Sequence, residues 1–189
     1  MVITHFRHAI GVAILTTLGL TANIVNAAEV NVSVGASNHE LSFETGDAEI
    51  DSIDISDTGT HLGFGLKNQY GEHGQHFFGV GIDIDKIDGD QLIGYRALDY
   101  QFAFNQHIRA GAFFGAASLD TGLPQNGYYT GLNLSYQGIF DHLGITFELR
   151  HGNGLERDKK LADDPAREND KEYMFLDFTA TAVQVSWTF

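Results

Sequence analysis

The sequence predicts an all-β protein, an eight-stranded antiparallel up-and-down transmembrane β-barrel. Eight segments alternate large apolar residues with small or polar ones at period two, as a strand with one apolar face does. The second face is mostly glycine with a few charges, where a sheet wetted on one side would carry many Lys, Glu, Thr and Arg. A narrow lumen wants that face: small residues for room, and ions that pair with one another. Past residue 27 no apolar run approaches the roughly 18 residues of a membrane helix, so a membrane would be crossed by strands.

Composition agrees with this class. With 43% hydrophobic and 12% aromatic residues the 189-residue chain suits one folded domain and not a disordered one. Glycines number 22 and prolines two, which suits strongly curved sheet. Cysteine is absent, which excludes disulfides, a thiol nucleophile and a lipid-modified cysteine.

Residues 1–27 read as a secretory signal peptide and 28–189 as the barrel. Arg7 is the only formal charge before Glu29, the run Ala9 to Leu20 is apolar but about half a bilayer span, and Val25, Asn26 and Ala27 precede the expected cleavage after Ala27. The leader takes with it one of 11 basic residues and none of 25 acidic ones. So acidic a chain is not expected to meet nucleic acid, whose phosphates need a cationic face.

The strands follow in order. "EVNVSVGA" from Glu29 puts Val30, Val32 and Val34 on one face and can continue through "ELSF". "THLGFGL" aligns Leu62, Phe64 and Leu66 opposite His61, Gly63, Gly65 and Lys67. "HFFGVGIDI" aligns Phe78, Val80, Ile82 and Ile84 opposite Gly79, Gly81 and Asp83. "ALDYQFAF" aligns Leu98, Tyr100, Phe102 and Phe104 against Asp99 and Gln101. "HIRAGAFFGA" sets Ile108, Ala110, Ala112 and Phe114 against Arg109, Gly111 and Gly115. "YYTGLNLSY" sets Tyr128, Leu132, Leu134 and Tyr136 against Gly131, Asn133 and Ser135. "HLGITFELR" sets Leu143, Ile145, Phe147 and Leu149 against Thr146, Glu148 and Arg150. The eighth strand starts near Tyr173 and finishes "AVQVSWTF", with Val183, Val185, Trp187 and Phe189 on one face.

Connections alternate in length. "ETGDAEIDSIDISDTG" holds six acids, Glu44 to Asp57, and no base; "GNGLERDKKLADDPAREND" is also long, while "NQ" at Asn105, "GIFD" from Gly138 and "NQYGEHGQ" from Asn68 are compact. Short periplasmic turns with longer outer loops are the habit of outer-membrane barrels. Tyr100, Tyr128, Tyr136 and Trp187 fall near strand ends, as interfacial girdles require. Arg96 shares parity with Leu98 and Tyr100 and so points at lipid, unless it sits above the hydrocarbon or a bulge shifts the register.

The inward charges Lys67, Asp83, Asp99, Arg109, Glu148 and Arg150, with His61 and His107 by parity, are expected to pair in a side-chain-filled lumen. "DIDKIDGD" is spaced like a calcium loop but puts Ile87 at a ligand position and lacks the closing glutamate, so Asp88-Gly89 reads as a hairpin turn. His73 and His76 lack a third ligand. No metal and no cofactor is expected.

Over residues 28–189 the pattern resembles the small OmpA/OmpX-type barrels, and Trp187 with Phe189, on the face of Val183 and Val185, looks like the C-terminal signature that hands such barrels to their assembly machinery. "GYRALDYQF", "FFGAASLDTGLPQNGYYTGL" and "ERDKKLADDP" are similar to stretches of uncharacterised Gram-negative outer-membrane barrel proteins. Those resemblances imply the bacterial outer membrane, with its lipid and lipopolysaccharide, as the setting, and no reaction. "LRHGNGLERD" is similar to the surroundings of the catalytic histidine in the outer-membrane lipid A deacylases, an H-x-S-N-A-G type motif. That likeness implies His151 as base and Glu156 or Glu168 as its orienter. It departs where Asn153 holds the nucleophile's place, because an amide offers no hydroxyl to activate.

The expected function is that of a monomeric structural or surface-interaction barrel with acidic outer loops. A lipid A-modifying hydrolase variant centred on His151 and a narrow, porin-like ion or small-solute conductance are the alternatives.

Overall fold

A computed structural model describes residues 28–45, 52–87, 89–120, 126–155 and 174–189. They form eight strands: β1 (Glu29–Thr45), β2 (Ser52–Tyr70), β3 (His76–Ile87), β4 (Asp90–Ala103), β5 (Ile108–Leu119), β6 (Gly127–Phe140), β7 (Leu143–Asn153) and β8 (Met174–Thr188). Each pairs antiparallel with the next, and β8 returns to β1, so the sheet is a closed barrel without edges along its shared length. Closure reaches Phe189, whose amide donates to the Val30 carbonyl at 2.9 Å and whose carbonyl accepts from the Val30 amide at 3.1 Å. The expected signal peptide lies outside the described residues.

The end where β1 starts and β8 finishes is called the base, and the opposite end the rim. On the base side the period-two alternation is that of a membrane barrel. Val34, Leu62, Phe64, Leu132, Leu134, Phe147 and Val183 all point outward and are exposed, while Ser33, Asp99, Gln101, Asn133, Thr146, Glu148 and Gln184 point inward and are buried. An apolar exterior of that extent is stable against hydrocarbon and not against water. Rings thicken it near the base, where Phe78 packs on Tyr100 at 4.8 Å between centroids and on Tyr70 at 5.7 Å.

Toward the rim the same strands exchange their faces. On β1 the outward positions pass from Val34 and Ala36 to Asn38 and Glu40, on β7 from Leu149 to His151 and Asn153, and on β8 from Val183 to Thr181 and Thr179. The inward positions change the other way, to Leu41, Ile87, Leu92, Leu119, Leu155 and Phe178, which form one buried apolar cluster with Phe113 and Tyr129. One polypeptide wall therefore meets two solvents: apolar out and polar in below, polar out and apolar in above.

Two expectations need correction. The lipid-facing parity of Arg96 does not hold, and the bulge given as one alternative does: Arg96 is buried inside the barrel. Register shifts fall between Gly79 and Gly81 on β3 and between Arg96 and Leu98 on β4, so Ala97 is an extra residue in the ladder. Such a bulge reverses parity, which turns both Arg96 and Asp99 inward and leaves Ala97 and Leu98 outside. The first acidic connection, too, is largely strand. β2 begins at Ser52, with Asp54 opposite Ser42 and Asp57 opposite His39. The β3–β4 connection is the expected hairpin, closed by Ile87 opposite Asp90, with Gly89 at φ 92°.

Candidate functional site

Inward parity on β2, β3, β4 and β7 brings charged side chains together halfway up the lumen. Arg96 donates from Nε to Asp83 Oδ2 at 2.6 Å and from Nη2 to Asp83 Oδ1 at 2.9 Å. The same guanidinium reaches across to Glu148 on β7, with both N–H···O distances 2.9 Å. Arg150 donates to Glu148 Oε2 at 2.8 Å and from Nη1 to both oxygens of Asp85 at 2.9 and 3.0 Å. His61 Nδ1 lies 3.0 Å from Asp85 Oδ1. Lys67 Nζ lies 3.1 Å from Asp99 Oδ2, and Tyr129 donates to Asp83 at 2.9 Å. Paired and bidentate geometry of this kind is what lets charges stay buried.

The remaining expected lumen residues sit elsewhere. Arg109 pairs with Glu29 at 2.7 Å near the base, and its guanidinium covers the Phe77 ring at 3.9 Å. His107 does not enter the lumen; it occupies the β4–β5 turn, with Nδ1 3.2 Å from the Gln137 carbonyl and its ring stacked on Tyr136. Arg96, Asp85, Tyr129 and Glu29 complete the set, and the sequence reading assigned none of them to it. Asp85 has the parity of Asp83 and Tyr129 that of Gly131, so both were legible; Arg96 was hidden by the bulge.

Glycines give the cluster and the rings above it their space. A Cβ on Gly63 would collide with the Ser33 hydroxyl and the His61 ring. One on Gly94 would meet the Tyr129 ring, one on Gly131 the Phe113 ring and one on Gly152 the Phe178 ring. The glycine face therefore makes sockets for rings as well as room for ions.

Two arrangements resemble catalytic ones. Asp85, His61 and Ser33 stand in triad order, with His61 Nε2 3.4 Å from Ser33 Oγ. That contact is long, Arg150 Nη2 also points at His61 Nδ1 from 3.1 Å, and Ser33 faces a cavity of about 40 Å³, which has room for waters and not for an acyl substrate. His151 lies on the outer wall, exposed, with Nδ1 3.5 Å from Thr179 Oγ1. Asn153, in the nucleophile's place, is tied to Asp177 at 2.8 Å. Glu156 and Glu168 lie outside the described residues. His76 hydrogen-bonds Tyr100 at 3.0 Å, and among the described residues no group of three His, Asp or Glu side chains could hold a metal ion.

On the outer wall at the base, Trp187 is exposed beside Phe189, with Val183 on the same face further up; Val185 is half-buried there.

No protein-family model and no curated protein matches this chain. Among solved structures it is similar to Ail, the attachment invasion locus protein of Yersinia pestis, at 11% identity and TM-score 0.48, covering 87% of this chain and 100% of that one. It is similar to Neisserial surface protein A at 13% and 0.48, covering 87% and 100%. The outer membrane protein OprG of Pseudomonas aeruginosa gives 9% and 0.48, covering 86% and 96%. At these values the likenesses carry no weight of their own, and the barrel rests on this chain's strand pairing.

Proposed function

We propose that this chain is a bacterial outer-membrane barrel that works as a sealed, rigid platform, holding the acid-rich β1–β2 hairpin and the β7–β8 connection clear of the membrane for surface interactions. The exchange of faces along β1, β7 and β8 carries this reading. An apolar belt below and a polar wall above match a body whose lower part lies in hydrocarbon and whose rim stands in water. The crossed ion pairs and the apolar cluster above them fill the lumen, which favours a platform over a conductance. Lipid and lipopolysaccharide are its neighbours in this reading, divalent cations bridge its acids to lipopolysaccharide phosphates, and the exposed Trp187 and Phe189 serve recognition by the barrel-assembly machinery.

Cell-surface labelling tests it. Thr58→Cys, outward near the rim, is expected to react with a membrane-impermeant maleimide on intact cells, and Gln106→Cys, in the β4–β5 turn at the base, only after the outer membrane is opened. The reverse order would overturn the orientation, and labelling of neither in cells whose protein fractionates as soluble would overturn the membrane reading.

A further inference from the structure

The interior is asymmetric about Tyr129. Its ring belongs to the apolar cluster, 4.9 Å from Phe113 and 6.2 Å from Phe178 between centroids, while its hydroxyl binds Asp83 in the ion cluster. Below it, a polar cavity of about 40 Å³ runs from Glu29, Arg109 and Thr188 at the base to Ser33, Asp83 and Glu148 at mid-height. Asp99 Oδ1 and Gln184 Nε2 line or approach that cavity, are buried, and have no protein partner; Asn133 Nδ2 and Ser186 Oγ, also on the base side, have none either. Among the described residues, only His39 Nδ1 is in the same condition on the rim side. An unpaired buried polar atom is costly, and water relieves the cost wherever the space is polar and large enough. This space has room for about three waters.

Above Tyr129 the character reverses. Leu41, Leu92, Phe113, Leu119 and Phe178 are buried there, and three of the rings that close the section sit over glycines: Phe113 over Gly131 and Phe178 over Gly152 on the adjacent strand, and Tyr129 over Gly94 two strands away. Sockets of this kind let a ring reach the barrel axis from each of three strands. Among the described residues that layer offers water His39 Nδ1, beside the Phe178 ring, and no unpaired carboxylate or amide like those of Asp99 and Gln184.

We infer that the barrel is a half-pore: water and water-sized polar solutes enter from the base as far as the Arg96–Asp83–Glu148 cluster, and the ring layer of Phe113, Tyr129 and Phe178, packed among Leu41, Leu92 and Leu119, closes the section between them and the rim. The inference rests on the membrane-barrel reading above. It makes the closed lumen a property of the ring layer, its glycine sockets and the side chains packed around them rather than of the strand number.

The absence of cysteine from the sequence permits a direct test. Ser186, Gln184 and Ala180 all point inward along β8, so Ser186→Cys, Gln184→Cys and Ala180→Cys form a ruler. In the full-length product, folded in detergent and verified by its heat-dependent gel shift, the first two are expected to be oxidised to the sulfenic acid by hydrogen peroxide, a polar solute little larger than water. Ala180→Cys should stay unmodified until the barrel is unfolded. Protection of all three, or reaction of all three, would overturn the half-pore. In planar bilayers the parent should pass no steady current and Phe113→Ala/Phe178→Ala should pass one. If that pair loses its gel shift, Phe178→Leu takes its place. A conducting parent, or a folded variant as silent as the parent, would refute the ring layer as the seal. Failure of the membrane reading is separately visible, since the parent itself would then fold without detergent.

Discussion

Arg96 and Glu148 join strands that are not neighbours, β4 and β7, by two N–H···O contacts of 2.9 Å across the lumen. Each also has a second partner, Asp83 for Arg96 and Arg150 for Glu148, so the cross-link braces the barrel from β3 to β7. It exists because one extra residue, Ala97, turns Arg96 inward.

Removing the cation should cost far more than the pair contributes. Arg96→Ala leaves Asp83 and Glu148 short of a partner in a buried site, and a loss of about 3–5 kcal/mol is expected. Equilibrium unfolding in urea from lipid vesicles measures it. Adding Glu148→Gln should restore part of the loss; a double variant weaker than the single one would show that the two act independently.

Tyr129→Phe removes one hydrogen bond to a carboxylate, Tyr129 to Asp83, and keeps the ring in its socket over Gly94. A loss of about 1.5–3 kcal/mol follows, as for hydrogen bonds to charged groups, read by the same titration. No change would mean that water replaces the hydroxyl without cost.

Glycine sockets and glycine room should separate cleanly. Gly152→Ala pushes a methyl into the Phe178 ring, whereas a Cβ on Gly65 finds its nearest neighbour at 3.6 Å. Gly152→Ala is expected to destabilise by about 1–3 kcal/mol, in the range of overpacked cores, and to recover when combined with Phe178→Leu. Gly65→Ala should be nearly neutral. Equal effects at the two positions would deny the socket.

Much of this architecture was legible. Period two placed the outward faces of β1, β2 and β5 to β8, because each holds one parity along its length. Arg96 was legible only as a misfit of parity with a bulge as one way out, since a bulge leaves no mark in composition that would choose it and one residue of slip reverses a face. The acidic residues Asp54 and Asp57 read as part of a loop because charge outweighs a weak alternation, yet β1 supplies the ladder partners that make Ser52 onward strand. The ring layer was half visible: Phe113 and Tyr129 stand at glycine-face positions in "AFFGA" and "YYTG". Assigning that face to small residues alone hid them, because a large ring fits where its neighbour across the ladder is glycine.

Deleting Trp187 to Phe189 removes the backbone pairing of Phe189 with Val30 and the ladder positions Thr188 and Trp187 opposite Asn31 and Val32. The truncated barrel is expected to fold slowly or incompletely in detergent, seen as loss of the compact band on an unheated gel. Full retention of that band would place closure elsewhere on β8.

The central claim is a closed barrel that lies in hydrocarbon, and its most direct test is folding of residues 28–189 from urea into detergent or into plain buffer, followed by electrophoresis with and without boiling. A compact, heat-modifiable band that forms only with detergent is the predicted result. A cooperative fold in buffer alone would contradict it, and would reassign the exposed face of Val34, Leu62, Leu132 and Val183 from lipid to a protein partner.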